Sequence, residues 1–100
     1  MDTKFTALVP EYLEELIPEY LQRRHEEVTQ INAFLQNSDF ESIRKIAHVM
    51  SGVGSGYGFP EITEFGHEIG SAARNEDSDA VKLGNTNYQI YLNNLDISYV

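Results

Sequence analysis

Phe40-Glu41-Ser42-Ile43-Arg44-Lys45-Ile46-Ala47-His48-Val49-Met50-Ser51-Gly52-Val53-Gly54 is the stretch whose reading decides the fold. Phe40, Ile43, Ala47, Met50 and Gly54 step by three and four, the spacing of one stripe on an α-helix. At ~100° per residue, His48 falls roughly 140° from the centre of that stripe. Its neighbours on that side are Arg44, Ser51, Gly52 and Ser55. A helical side chain leans toward the N-terminus, so residue i+4 covers residue i. Gly52, four residues after His48, covers nothing. Glycine inside a helix is less favourable than alanine by about 1 kcal/mol, so its presence there needs a reason, and open access to the imidazole is one.

The flanking sequence extends this helix into a set. Ser38 followed by Glu41 reads as a capping box and starts the helix. Gly52, Gly54, Gly56 and Gly58 end it somewhere within residues 52–58. Upstream, Ile17, Leu21, Val28, Ile31 and Leu35 predict a helix from about Ile17 to Gln36, with Pro18 in its first turn and a break at Asn37-Ser38-Asp39. A shorter segment, Leu8 to Leu16, reads as a first helix covering one end. Downstream, Pro60 opens a helix with Ile62, Phe65, Ile69, Ala72 and Ala73 as its stripe, ending at Asn75-Glu76-Asp77. Ser78 reads as the cap of a last helix with Val81, Tyr88, Tyr91, Leu92 and Leu95 facing inward. Ile97-Ser98-Tyr99-Val100 alternates, but four terminal residues are too few to read as a sheet. Four amphipathic helices joined by short loops bury their stripes against one another. The expected fold is therefore all-α, an antiparallel up-down four-helix bundle with a short extra N-terminal helix.

Composition sets the outer bounds. One hundred residues with 41% hydrophobic content fit one domain over residues 1–100. Sixteen acidic residues against seven Lys and Arg leave a formal net charge of -9, which argues against nucleic-acid and anionic-membrane partners. Cysteine is absent, so disulfides, thiolate catalysis and cysteine metal sites are excluded. No apolar run approaches the length of a membrane span, and the N-terminus lacks a signal-peptide pattern, so a cytoplasmic protein is expected. All four stripes are used inside one bundle, so the expected state is a monomer.

Other site chemistries fit poorly. The glycine run has no lysine for a Walker loop, and it follows a helix rather than a strand. His25, His48 and His67 are not spaced as metal ligands, so no metal or cofactor is expected. His25 reads as solvated, in a run with Arg23, Arg24, Glu26 and Glu27. Ser51 and Ser55 lack a strained turn and an oxyanion hole, which disfavours hydrolysis. Tyr12, Tyr20, Tyr88 and Tyr91 read as core or rim packing.

The stretch from Ile43 to Glu76 resembles the histidine phosphotransfer (HPt) domain family. That pattern has a histidine, an apolar residue two later, a lysine three later and a glycine four later. A second glycine follows at ten, and an apolar residue four beyond that. The matching positions are His48, Met50, Gly52, Gly58 and Ile62, with Ser51 in place of the lysine. Gly58-Phe59 and the next helix with His67 look most like the N-terminal domain of chemotaxis-type histidine kinases. In that subgroup a carboxylate stands 22 residues after the histidine and holds its tautomer; this chain has Gly70 there. Glu68 should point elsewhere on its helix, so either a weaker orientation of His48 or a different partner, such as His67 or Thr63, is expected. Gly66 and Gly70 also read as a small ridge that lets two helices approach.

The resemblance implies a phosphoryl carrier rather than an independent enzyme. His48 would exchange a phosphoryl group with the aspartate of a response-regulator receiver domain or take one from a sensor histidine kinase. Supporting residues would be Arg44, Lys45, Ser51, Gly52 and His67, with Arg44 or Lys45 standing in for the missing lysine. Val49, Tyr57 and Phe59 would form an apolar docking patch. The alternative is a phosphorylation-incompetent bundle that binds a receiver or kinase as an adaptor; an unrelated helical interaction module is the third reading.

Overall fold

Pro18 sits in the first turn of the longest helix, α1 (Ile17–Gln36), where its missing N–H has no helical partner to lose. The computed structural model describes residues 4–100. After α1 come α2 (Phe40–Val53), α3 (Pro60–Arg74) and α4 (Ser78–Asn93). A 3₁₀ turn over Ser55–Tyr57 joins α2 to α3. The chain is mostly helical and compact, with a radius of gyration of 13.4 Å. Each helix packs on two others: α1 on α2 and α4, α3 on α2 and α4. Ile31, Ile43, Met50, Ile62, Ile69, Val81 and Tyr88 fill the centre with no exposed surface.

The two ends of the chain depart from the all-helical expectation. Residues read as a helix from Leu8 to Leu16 are instead strand β1 (Phe5–Val9) and a 3₁₀ helix (Glu11–Leu16). Along β1 the side chains alternate, with Ala7 and Val9 buried and Thr6 and Leu8 outside. Pro10, with no N–H to donate, lies between the strand and the 3₁₀ turn. Strand β2 (Leu95–Tyr99) takes in most of the tail that was read as no sheet. It pairs with β1 in parallel, from Phe5 opposite Leu95 to Val9 opposite Tyr99. A parallel pair needs a long crossover, and here all four helices provide it. The pairing was hidden because each strand's partner lies at the other end of the chain.

Both interior caps sit one residue from the expected position. Asp39, not Ser38, caps α2: its carboxylate accepts from the Ser42 amide (3.1 Å) and the Ser42 hydroxyl (2.7 Å). These two bonds hold its carboxyl below the usual aspartate range. Ser38 instead adopts a left-handed backbone, φ 52°, in the turn leaving α1. Asp77, not Ser78, caps α4, accepting from the Ala80 amide at 3.1 Å.

The run around His25 is only half solvated. His25 and Glu26 are exposed, but Arg24 and Glu27 are buried. They share the inward face of α1 with Val28 and Ile31, where helical spacing outranks charge. Arg24 Nε lies 2.8 Å from Glu27 Oε1, an ion pair without hydrogen-bond alignment. The Tyr88 hydroxyl of α4 donates to the same Glu27 oxygen at 3.0 Å. The Arg24 guanidinium lies 4.8 Å from the centre of the Tyr20 ring. Tyr20 donates to the Val53 carbonyl at the end of α2 (2.7 Å), and burial pushes its hydroxyl up to about 12. Asn85 of α4 reaches back to α1, donating to the Val28 carbonyl and Asn32 Oδ1, each at 3.0 Å. Of the four tyrosines assigned to packing, Tyr20, Tyr88 and Tyr91 are buried, whereas Tyr12 is 83% exposed.

Burial raises the Glu27 carboxyl above its ordinary 4.5, with Arg24 pulling the other way. A raised folded value means that Glu27 favours folding most below its unfolded value. That contribution fades as pH rises through the folded one. The stability of Glu27→Gln relative to wild type is therefore expected to rise as pH increases above the ordinary carboxyl value of 4.5, read from urea unfolding at several pH values. A difference that stays constant over that range would show that Glu27 titrates alike in the folded and unfolded chain.

Candidate functional site

The groove around His48 is produced by a residue with no side chain. A Cβ on Gly66 of α3 would lie 2.6 Å from the Ser51 amide nitrogen and 2.7 Å from the Ala47 carbonyl oxygen of α2. Any larger residue would force the helices apart. One turn later, a Cβ on Gly70 would meet Ala47 Cβ at 3.4 Å. One turn earlier, Gly54 abuts Thr63. Rising numbers on α3 thus meet falling numbers on α2, and the ridge read from Gly66 and Gly70 is the seam between the helices.

Beside this seam lies an open groove of about 1060 Å³. Arg44, Lys45, His48, Val49 and Ser51 line it from α2, and His67, Gly70, Ser71 and Arg74 from α3. Three of the chain's seven Lys and Arg and two of its three histidines meet here, with Glu41 the one carboxylate among the described lining residues. In a chain of net charge -9 this is a local concentration of positive and proton-accepting groups.

His48 is exposed, and among the described residues neither ring nitrogen has a hydrogen-bond partner. Its carbonyl accepts from the Ser51 hydroxyl at 2.8 Å, a bond back onto the same helix. A Cβ on Gly52 would meet nothing within 4 Å, so that glycine is not required by internal packing. Arg44 is exposed and forms no ion pair among the described residues. Lys45 lies 3.9 Å from Glu41, both side chains well solvated, a contact worth little.

The proposed partners of His48 separate. His67 does line the same groove from the facing wall. Thr63 does not: its hydroxyl accepts from the Ser55 amide (3.1 Å) and lies 3.3 Å from the Ser55 hydroxyl, tying α3 to the turn after α2. Glu68 lines a separate depression toward Ala80, as its helical angle implies. Phe59 is a correction. It is completely buried, with its ring centre 5.5 Å from that of Tyr20, so it cannot meet a partner. Tyr57 is half-buried and stacked on Tyr20 at 4.2 Å. The expected patch of Val49, Tyr57 and Phe59 thus keeps one plainly exposed member, Val49 at 48%.

Arg74 was not among the candidates. The spacing Gly66-Gly70-Arg74, four and four, was the available signal: the next side chain on the seam stripe is an arginine. His48 and His67 offer two nitrogen donors to one groove. Among the described residues, no group of three or more His, Cys, Asp or Glu is placed to hold a metal. No described helix is long and apolar enough to cross a membrane. Comparison with known family models, with curated proteins and with solved structures returns no match.

The two glycines beside His48 should respond oppositely to a methyl group. Gly66→Ala is expected to destabilise the fold by about 1–3 kcal/mol through overpacking at the seam. Gly52→Ala should stabilise it by about 0.5 kcal/mol, since open space receives the methyl. Urea midpoints for the two variants check this; equal shifts would show that the seam is not tight.

Proposed function

We propose that this protein is a histidine phosphotransfer carrier of a two-component relay, with His48 as the phosphoryl acceptor. The observation that carries the reading is the exposed imidazole of His48, uncovered at Gly52 and set in the groove that also holds Arg44 and Arg74. A neutral imidazole nitrogen is a good nucleophile near neutral pH. It attacks the phosphorus of a receiver's aspartyl phosphate. The P–N bond forms, the P–O bond to the aspartate breaks, the carboxylate leaves with the electron pair, and the displaced ring proton passes to solvent. Phosphoryl transfer depends mostly on positioning and charge stabilisation, so a small domain presenting one histidine suffices when the receiver supplies the rest.

The ring of helix contacts and the opposed numbering of α2 and α3 support an antiparallel up-down four-helix bundle as the carrier's frame. The partners in this reading are a receiver domain and a sensor histidine kinase. The carrier is monomeric and cytoplasmic, a substrate rather than a catalyst. A second reading, an adaptor that binds a receiver without accepting phosphate, is favoured by one observation. The ring of His48 has no hydrogen bond to orient it, and Gly70 offers none.

Incubation with a phosphorylated receiver separates them. Wild type is expected to acquire an acid-labile, base-stable phosphate, and His48→Gln to acquire none. Transfer that survives in His48→Gln overturns the carrier reading. Tight receiver binding by wild type with no transfer establishes the adaptor instead.

A further inference from the structure

The groove has a cation that the family pattern does not supply. We infer that Arg74, reaching over Gly70 from the facing helix, is the positioning residue that holds the phosphoryl oxygens at His48. This rests on the carrier reading for its ligand, while the anion site itself stands on geometry.

The seam contacts set the levels. Gly66 lies against Ala47 and Ser51, and Gly70 against Ala47. Four residues further along α3 therefore meet four residues back along α2, which puts Arg74 level with Ile43, next to Arg44. Helical side chains lean toward the N-terminus of their own helix. Because the two helices run opposite ways past this seam, their arginines lean in opposite directions. Arg44 leans toward Glu41, away from His48. Arg74 leans back over Gly70, toward the level of His48. From that level to His48 is five residues of rise, about 7.5 Å, which an extended arginine and a phosphoryl group on the imidazole span together.

Gly70 keeps that path clear, since it has no side chain to cross. It also keeps Arg74 unpaired. A carboxylate at 70 would stand four residues before Arg74 on the same helix and pair with it. Among the described residues Arg74 forms no ion pair, and it is exposed. Two departures from the family pattern thus belong together: the lysine absent at Ser51 and the carboxylate absent at Gly70 leave room for one arginine on the opposite wall. A guanidinium offers paired donors that match the oxygens of a phosphoryl group.

Inorganic phosphate is the probe, titrated into the intact chain while the ring signals of His48 and His67 are followed by NMR. Wild type is expected to bind, Arg74→Ala to bind about tenfold more weakly, and Arg44→Ala to lose less than about threefold. Arg74→Lys, which keeps charge but not the fork, should fall between wild type and Arg74→Ala. Arg74 is exposed, so its truncation leaves the core untouched. No phosphate response in wild type, or a loss in Arg44→Ala as large as that in Arg74→Ala, overturns the inference. Phosphate binding that needs Arg74 in a chain that accepts no phosphoryl group from any receiver upholds the anion site and removes the carrier function. Receiver-to-His48 transfer with phosphate binding unchanged in Arg74→Ala does the reverse.

Discussion

The helices beside His48 meet backbone against backbone, Gly66 of α3 on the Ala47 carbonyl and Ser51 amide of α2. Much of the site depends on it. The contact brings α3 close enough that a Cβ on Gly70 would meet Ala47, and it fixes which residues of the two helices share a level. His48 is thereby set on one wall of a groove whose other wall carries His67 and Arg74. A methyl group at 66 would separate the walls. The same residue type does the opposite at 52, where glycine meets nothing and leaves the imidazole uncovered.

Away from the groove, polar bonds add to the apolar core in joining the helices. Tyr20 ties α1 to the end of α2, Glu27 receives Tyr88 from α4, and Asn85 of α4 bonds the α1 backbone. The buried pair of Arg24 and Glu27 is held together by close charge and by the Tyr88 hydroxyl. Such pairs contribute little net stability but penalise arrangements that separate them. The parallel pairing of β1 and β2 joins the two ends of the chain, and Gly58, with φ 93°, lets the turn after α2 press against Leu8 and Val9.

The helices were legible because their apolar spacing and their punctuation agree. Pro18, Asn37-Ser38-Asp39, Pro60 and Asn75-Glu76-Asp77 mark real boundaries, and α1 spans the expected Ile17–Gln36. The strands were not legible, since a parallel pair formed between opposite ends of a chain leaves no local turn signal. His25 is exposed as expected, whereas Arg24 and Glu27 in the same run take positions on α1 that point inward, a burial their charge does not signal. At the site, the exposure of His48 followed from helical angle alone. Phe59 did not: it lies just before α3, where no periodicity predicts direction, and its ring turns into the core. Arg74 lines the groove because α3 packs on α2, a placement that the four-and-four spacing of Gly66, Gly70 and Arg74 signals only weakly.

On the proposed carrier reading, His48, and neither of the other two histidines, takes the phosphoryl group. Phosphoramidate tests it without any cognate partner: its P–N bond breaks with loss of ammonia as a new P–N bond forms to imidazole. Mapping the phosphoryl group by 31P NMR and mass spectrometry on the intact chain should place it on His48 alone. Equal modification of His25, His48 and His67, or preference for either of the others, would contradict the claim.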